Sequence, residues 1–212
     1  MADRKAERRE RFLRAATRLF AERGYAGCSL AEVCAGAGLS KRQFYEEFDT
    51  REDVLVAAYD RIQDEAAAAV TDALAAAAAQ RDRRAALTMV LTAYLESIDS
   101  DPYRAKVAFI EVVGVSERME RHRRARRQDW ARLVETAVAP IAGPDARIRG
   151  RGELAASTLI GAVNGLAHEW LLMDPRPPVA ELADLLVPVA VSLIESTDLP
   201  NEPTDLPNEP TD

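Results

Sequence analysis

Cysteine is nearly missing from this chain: two residues among 212, Cys28 and Cys34. A disulfide framework is thereby excluded. Cys34 falls on the apolar side of a helical pattern and reads as a small hydrophobe, with a redox switch as the alternative. Histidine is as scarce, with only His122 and His168. No metal-ligand spacing, no nucleophile–base arrangement and no paired carboxylates accompany them. The expectation is no catalytic residue, no metal and no cofactor. A small-molecule enzyme on an all-α scaffold remains one alternative class, and a helical protein-interaction module with a merely structural DNA-binding motif is another. A long apolar run is also lacking. The uncharged stretch 154–167 falls short of the roughly 20 residues that span a bilayer. The N-terminus is charged rather than apolar, so no signal peptide and a cytoplasmic location are expected. Alternating β-branched patterns are missing too, which leaves an all-α chain rich in Ala, Leu and Arg.

An excess of base is absent as well. The net charge is −7, which excludes a uniformly basic nucleic-acid binder. The distribution is uneven, however. Residues 1–59 carry 11 Lys and Arg against 10 Asp and Glu, and the remainder 17 against 25. The least acidic part of the chain is its N-terminal quarter, where a local electrostatic footprint for a polyanion would lie.

That quarter holds two capping boxes in close succession. Ser29 with Glu32 and Ser40 with Gln43 fit the S/T-x-x-E/Q pattern, in which side chain and backbone satisfy each other at a helix start. Leu30, Val33, Cys34 and Ala37 follow the first box at helical spacing. Gly38 stands where a left-handed residue closes a helix. The pattern is helix, tight turn, short helix. Phe44 and Phe48 share the inner side of the short helix and the turn after it. Arg42, Gln43 and Glu46 point most nearly away from Phe44. Thr50 then caps another helix with acids in its first turn. A short helix that offers cations and an amide at its N-terminal end suits the major groove.

Residues 12–55 resemble the DNA-binding domain of the TetR family of bacterial transcriptional repressors. The resemblance is carried by Phe12, Ala16, Leu19, Phe20, Gly24, Tyr25, Ser29 to Val33, Ala37 to Lys41, Phe44, Tyr45, Phe48, Arg51 and Glu52. Arg42, Gln43 and Glu47 depart from it, standing where Gly, Thr or Ser, and His or an aromatic are frequent. The resemblance implies a ligand-responsive regulator, most simply a repressor, that binds a palindromic operator as a dimer and leaves it on binding a lipophilic small molecule. It also implies a homodimer interface built from the eighth and ninth helices, which are independently the most continuously apolar. Arg42 and Gln43 are the candidates for base contacts, since Arg reads guanine and Gln can read adenine. Lys41, Tyr45 and Arg51 are candidates for phosphates, with Ser29 and Ser40 adding contacts beside their caps. Tyr45 as a packing residue and Arg42 paired with Glu46 stay open as alternatives.

Along the chain, helices are expected over 3–23, from Thr50 through the alanine run to 79, and over 83–98, 100–113, 116–141, 153–173 and 179–195. Arg4, Lys5, Arg8, Arg9 and Arg11 form a basic arm that can reach phosphates or a minor groove, or else a solvated helix start. The arginines between 118 and 127 read as a solvated face paired with Glu117, Glu120 and Asp129, with His122 solvated among them. Residues 143–152 read as a mobile loop, and Pro188 as a kink. Three regions follow: 1–52 for DNA binding, 53–196 for effector binding and dimerisation, and 197–212 as a tail. A mostly apolar effector pocket is expected from the fifth to eighth helices. Its candidate residues are Met89, Tyr94, Phe109, Trp130, Asn164, His168 and Trp170; that the aromatics are simply core is the alternative.

The last residues repeat a seven-residue unit, 197–203 and 204–210, with six acids and no base from Glu195 onward. Such a stretch buries too little apolar surface to fold alone. Deleting 197–212 should leave the melting temperature and operator affinity unchanged. A fall of several degrees on deletion would show instead that the tail docks on the arginines of the seventh helix.

Overall fold

The computed structural model describes residues 2–143 and 146–195. The duplicated tail, 197–212, lies outside the described residues. The helices are α1 (Ala2–Arg23), α2 (Leu30–Ala37), α3 (Lys41–Tyr45), α4 (Arg51–Ala77), α5 (Arg83–Asp99), α6 (Arg104–Lys106), α7 (Glu117–Ala142), α8 (Gly152–Leu172) and α9 (Val179–Ser192). Two short strands, β1 (Arg147–Ile148) and β2 (Ile194–Glu195), pair antiparallel. An expectation of helix to 195 and of a free loop over 143–152 is corrected by that pair. It ties the end of α9 to the connection between α7 and α8.

The helix starts follow from side chains that accept backbone amides. Ser29, Ser40 and Thr50 each complete a reciprocal capping box, with Glu32, Gln43 and Asp53. Gly38 takes a left-handed conformation, φ 63°, and its amide returns to the carbonyls of Ala35 and Cys34. α1 packs across α2 and α4. Phe12 meets Phe44 and Phe48 edge-on at 5.3 and 6.1 Å. All three rings are buried, so removing one would cost about 3–5 kcal/mol. Cys28 and Cys34 are buried free thiols, both pushed above the ordinary value of 9.0 first by desolvation.

α4 continues through the alanine run without a break. Val54, Leu55, Ala58, Ile62 and Ala66 all belong to one continuous apolar core that runs from α1 to α9, and Val70 is buried further along the helix. The boundary expected at 52/53 therefore falls inside one helix. α5 lies on α4 and α9, and α7 on α8 and α4. Where one helix was expected over 100–113, α6 gives way to a π-helical turn, Val107–Glu111. Val113, expected among the inward apolar set, is half exposed beyond it.

The basic first half of α7 is not a solvated face alone. Arg121 and Arg123 do pair with Glu117 and Glu120 within the helix. Arg118 reaches Asp53 at 2.5 Å and Arg126 reaches Asp64 at 2.5 Å, both across to α4. His122 is corrected most clearly. Its Nε2 lies 2.6 Å from Asp60 Oδ1, and its ring stands edge-on to Tyr59. Desolvation pushes the Asp53 carboxyl up, but hydrogen bonds from Arg118 and Thr50 outweigh it and hold the group below its ordinary 3.8. A carboxyl depressed in the folded state contributes stability above its unfolded value and loses it as pH falls through the folded one. Thermal melts of the wild type and Asp53→Asn should therefore differ at neutral pH and converge as pH drops below 3.8. A difference that is independent of pH would remove the ionic part of this contact.

Candidate nucleic-acid interface and ligand cavity

The inner face of α3 is fixed by Phe44, which is fully buried. Its outer face is therefore fixed too. Arg42 extends into solvent with its side chain 91% exposed, and its Nε is 3.6 Å from Glu46 Oε1. At that exposure the pair is weak, so the guanidinium is available to another acceptor. Lys41 is exposed beside it, and Tyr45 is 58% exposed while its ring meets Phe44 edge-on at 5.6 Å. Packing residue and exposed hydroxyl are thus combined in one side chain.

Gln43 is more constrained. Its Oε1 accepts from both the amide and the hydroxyl of Ser40, each at 3.0 Å. In this conformation only its NH2 group is free, so a bidentate contact to adenine would break the cap. Ser29 is likewise engaged with Glu32, its hydroxyl donating at 2.8 Å. Arg51 is less free than Lys41, because its guanidinium lies 4.2 Å over the Tyr25 ring.

Three arginines of the expected basic arm turn inward instead. Arg8 Nε and Nη2 donate to Glu47 Oε1 at 2.9 and 2.6 Å. Arg9 stacks on Phe48 at 4.5 Å, and Arg11 donates to the carbonyls of Ala37 and Gly38. They fasten α1 to the helix-turn-helix and close the C-terminus of α2. Arg4 and Lys5 remain exposed. Glu47 matters here because its side chain is wholly buried. Its negative charge is matched by Arg8 rather than presented beside the recognition helix.

Behind this unit, α4, α5, α7, α8, α9 and the π turn enclose a cavity of ≈160 Å³. Of the expected pocket residues, Tyr94, Phe109, Trp130 and Asn164 line it. Met89, His168 and Trp170 are not among its lining residues. Met89 sits half-buried on α5 away from the wall. His168 lies one turn past Asn164, the last residue of α8 on the wall. Trp170 Nε1 donates to the Pro177 carbonyl at 2.7 Å and its ring carries Arg176 at 4.9 Å, which makes it a clamp on the α8–α9 connection.

Sequence reasoning missed Tyr59, Gln63, Arg123 and Arg127, all on the cavity wall. Gln63 is buried and accepts from Trp130 Nε1 at 2.6 Å. A signal existed in the pair Tyr59 and Gln63, polar groups one turn apart on the inward stripe of α4. Tyr94 lines the same wall, and burial, then the neighbouring Tyr59, push its phenol well above the ordinary 10.0. It stays a protonated hydroxyl. Among the described residues no group of three or more His, Cys, Asp or Glu could hold a metal ion, and no helix is long and apolar enough to cross a membrane.

A three-helix head with an exposed recognition-helix start, on a mainly helical body with an apolar cavity, defines the helix-turn-helix class of regulator folds. Residues 12–58 match the family described as bacterial regulatory proteins, tetR family, a match confined to the N-terminal quarter of the chain. Two curated relatives agree. The uncharacterized HTH-type transcriptional regulator YerO of Bacillus subtilis is 36% identical over 52 residues, 24% of this chain and 18% of that one. The HTH-type transcriptional activator FasR of Mycolicibacterium smegmatis is 32% identical over 98 residues, 46% and 44%. The match thus spans less than half the length of either relative. Solved structures share the whole fold. The regulator FadR from Bacillus subtilis in complex with stearoyl-CoA has a TM-score of 0.72 at 14% identity, covering 86% of this chain and 97% of that one. A putative TetR-family regulator from Rhodococcus sp. has 0.70 at 22%, covering 89% and 98%.

Arg42→Ala should relax sequence preference, at a cost of about 1–3 kcal/mol at one base pair. Lys41→Ala should weaken all sites alike and lower the salt slope by about one. Quantitative binding of both variants to operator and mutated operators separates the roles. The same loss pattern in both would overturn the assignment.

Proposed function

We propose that the chain is a dimeric, ligand-responsive transcriptional repressor acting in the cytoplasm. It holds a two-fold symmetric operator in its DNA-bound state and leaves it when a lipophilic small molecule fills the cavity. The carrying observation is the start of α3: a twice-capped helix that presents Lys41, Arg42 and the Gln43 amide to solvent. Tyr45, Arg51, Ser29 and Ser40 flank these as contacts to the phosphate backbone. The family and the compared folds are those of regulators, which disfavours both an enzyme and a protein-interaction module.

One five-residue helix reads too few bases, so two copies are required, and two-fold symmetry sets the half-site spacing. The face for a second copy is supplied by α8 and α9. Leu154, Leu172 and Leu185 are more than 60% exposed there, and open space surrounds Gly161 and Gly165. Small residues at such positions let a partner helix approach closely. The regions divide as 1–52 for DNA, 53–196 for ligand and dimer, and the tail beyond.

A lipophilic effector is supported by the apolar wall, and by the shared fold of FadR from Bacillus subtilis, which was solved with stearoyl-CoA. Tyr94, Phe109, Trp130 and Asn164 are the proposed ligand contacts. The route to DNA is short. Phe109 lines the cavity, and two residues on, Glu111 accepts the Tyr25 amide at 2.7 Å. A guest that moves the π turn pulls on the loop before α2.

Selection of bound duplexes from random DNA tests the reading. The expected product is one palindrome, bound with a steep salt dependence and lost in Leu172→Arg or Leu185→Arg together with the dimer in sedimentation. Recovery of no symmetric sequence, or of one bound equally by a monomer, would sink it.

A further inference from the structure

The two ends of the cavity differ in chemistry, and the difference names a ligand class. At one end the polar groups are mainly hydrogen-bond donors, and several of them have no acceptor among the described residues. Arg123 and Arg127 lie one turn apart on α7, and Tyr59 and Gln63 one turn apart on α4. Arg123 is neutralised by Glu120 at 2.7 Å. Arg126, on the next position, has Asp60, Asp64 and Asp129 around it. Arg127 forms no hydrogen bond or ion pair with any described residue, and its charge acts on both Tyr59 and Glu120. Tyr59 and Tyr94 likewise donate to none of the described residues, and Trp130 occupies the Gln63 oxygen and leaves its NH2 group free. No Asp or Glu is among the described lining residues.

At the other end the wall is purely apolar. Val134, Val138 and Ile141 continue down α7, facing Leu87, Ile148 and Ile194. From Arg127 to Ile141 the helix rises about 21 Å at 1.5 Å per residue. An unpaired cation beside a buried donor cluster leaves an incomplete site, because such groups in a low-dielectric wall are stabilised by an anion.

We infer that the effector is a long-chain acyl amphiphile with an anionic head, its head held by Arg127, Tyr59, Tyr94 and the Gln63 amide and its chain laid along α7 toward the β1–β2 pair; the ≈160 Å³ of open space takes only part of such a chain, so the apolar wall widens as the ligand enters. This rests on the reading of the cavity as an effector site and gives that effector its chemistry. A free fatty carboxylate and an acyl thioester of a phosphorylated carrier share the required features.

The test is direct binding to the full chain without DNA, so that its outcome is separate from repression. Stearate, stearoyl-CoA and octadecanol, each below its micellar concentration, are titrated by calorimetry with tryptophan emission of the Trp170→Phe variant, which reports Trp130 alone, as a second readout. At least one anionic probe should bind about 10- to 100-fold tighter than octadecanol, the worth of a charge-assisted contact. Stearate alone would indicate the free acid, and stearoyl-CoA alone the thioester. Arg127→Met should remove that preference while leaving octadecanol affinity within about twofold; Arg127→Lys should keep much of it. If Arg127→Met does not fold, Tyr59→Phe should reduce the anionic preference alone. Equal affinity for the alcohol and both anions overturns the inference, as does a preference untouched by Arg127→Met. Tight anionic binding that leaves operator affinity unchanged would uphold the ligand class and overturn the coupling to DNA.

Discussion

Every other part of the molecule takes its position from one unbroken helix. α4 runs 27 residues, about 40 Å at 1.5 Å per residue. Its first turns complete the aromatic core beneath the recognition helix. Its middle supplies Tyr59 and Gln63 to the cavity. Its acidic edge, Asp53, Asp60 and Asp64, holds the basic edge of α7. Exposed ion pairs of this kind contribute little each. As a row they tie α7 to α4 at three successive points. Alanine suits such a rod, having the best helix propensity and no side-chain entropy to lose.

The π turn solves a geometric problem that α4 leaves open. Residues 109 and 111 sit about 200° apart on a helical wheel, so they face opposite ways. Phe109 looks into the cavity and Glu111 looks out at the Tyr25 loop. Single-turn π segments recur at functional sites because the wider turn re-aims side chains without ending the helix. Around it, Glu10, Arg61, Glu65 and Arg104 form a chain of ion pairs from α1 through α4 to α6. Head and body therefore meet through polar contacts at defined points as well as through the shared helix.

What the sequence made legible was local. Caps, the left-handed glycine, the Phe44 and Phe48 stripe and the helix bounds near residues 80–83 depend on residues within one or two turns of each other. What stayed hidden depends on partners far along the chain. Arg8 meets Glu47 39 positions away and His122 meets Asp60 62 away, and no periodicity announces either. The same holds for the β1–β2 pair and for the clamp at Trp170. The cavity was half legible. Aromatics on inward stripes marked Tyr94, Phe109 and Trp130, but apolar periodicity counts only apolar residues, so the inward-facing Gln63 went unmarked and Arg127 read as part of a solvated face.

The double engagement of Gln43 has an evolutionary consequence. Its oxygen closes the capping box of α3 while its amide nitrogen faces outward. A mutation here that retargets the protein to a new base also removes half of a cap worth about 0.5–2 kcal/mol, in a helix of only five residues. Glutamate is the replacement that keeps the cap, and it reverses the preference from acceptor to donor on the base. Recognition at position 43 is thus not free to drift gradually. Change in target sequence would accumulate first at Arg42, where the side chain carries no structural duty, and lineages descended from this protein would diverge there before they diverge at Gln43.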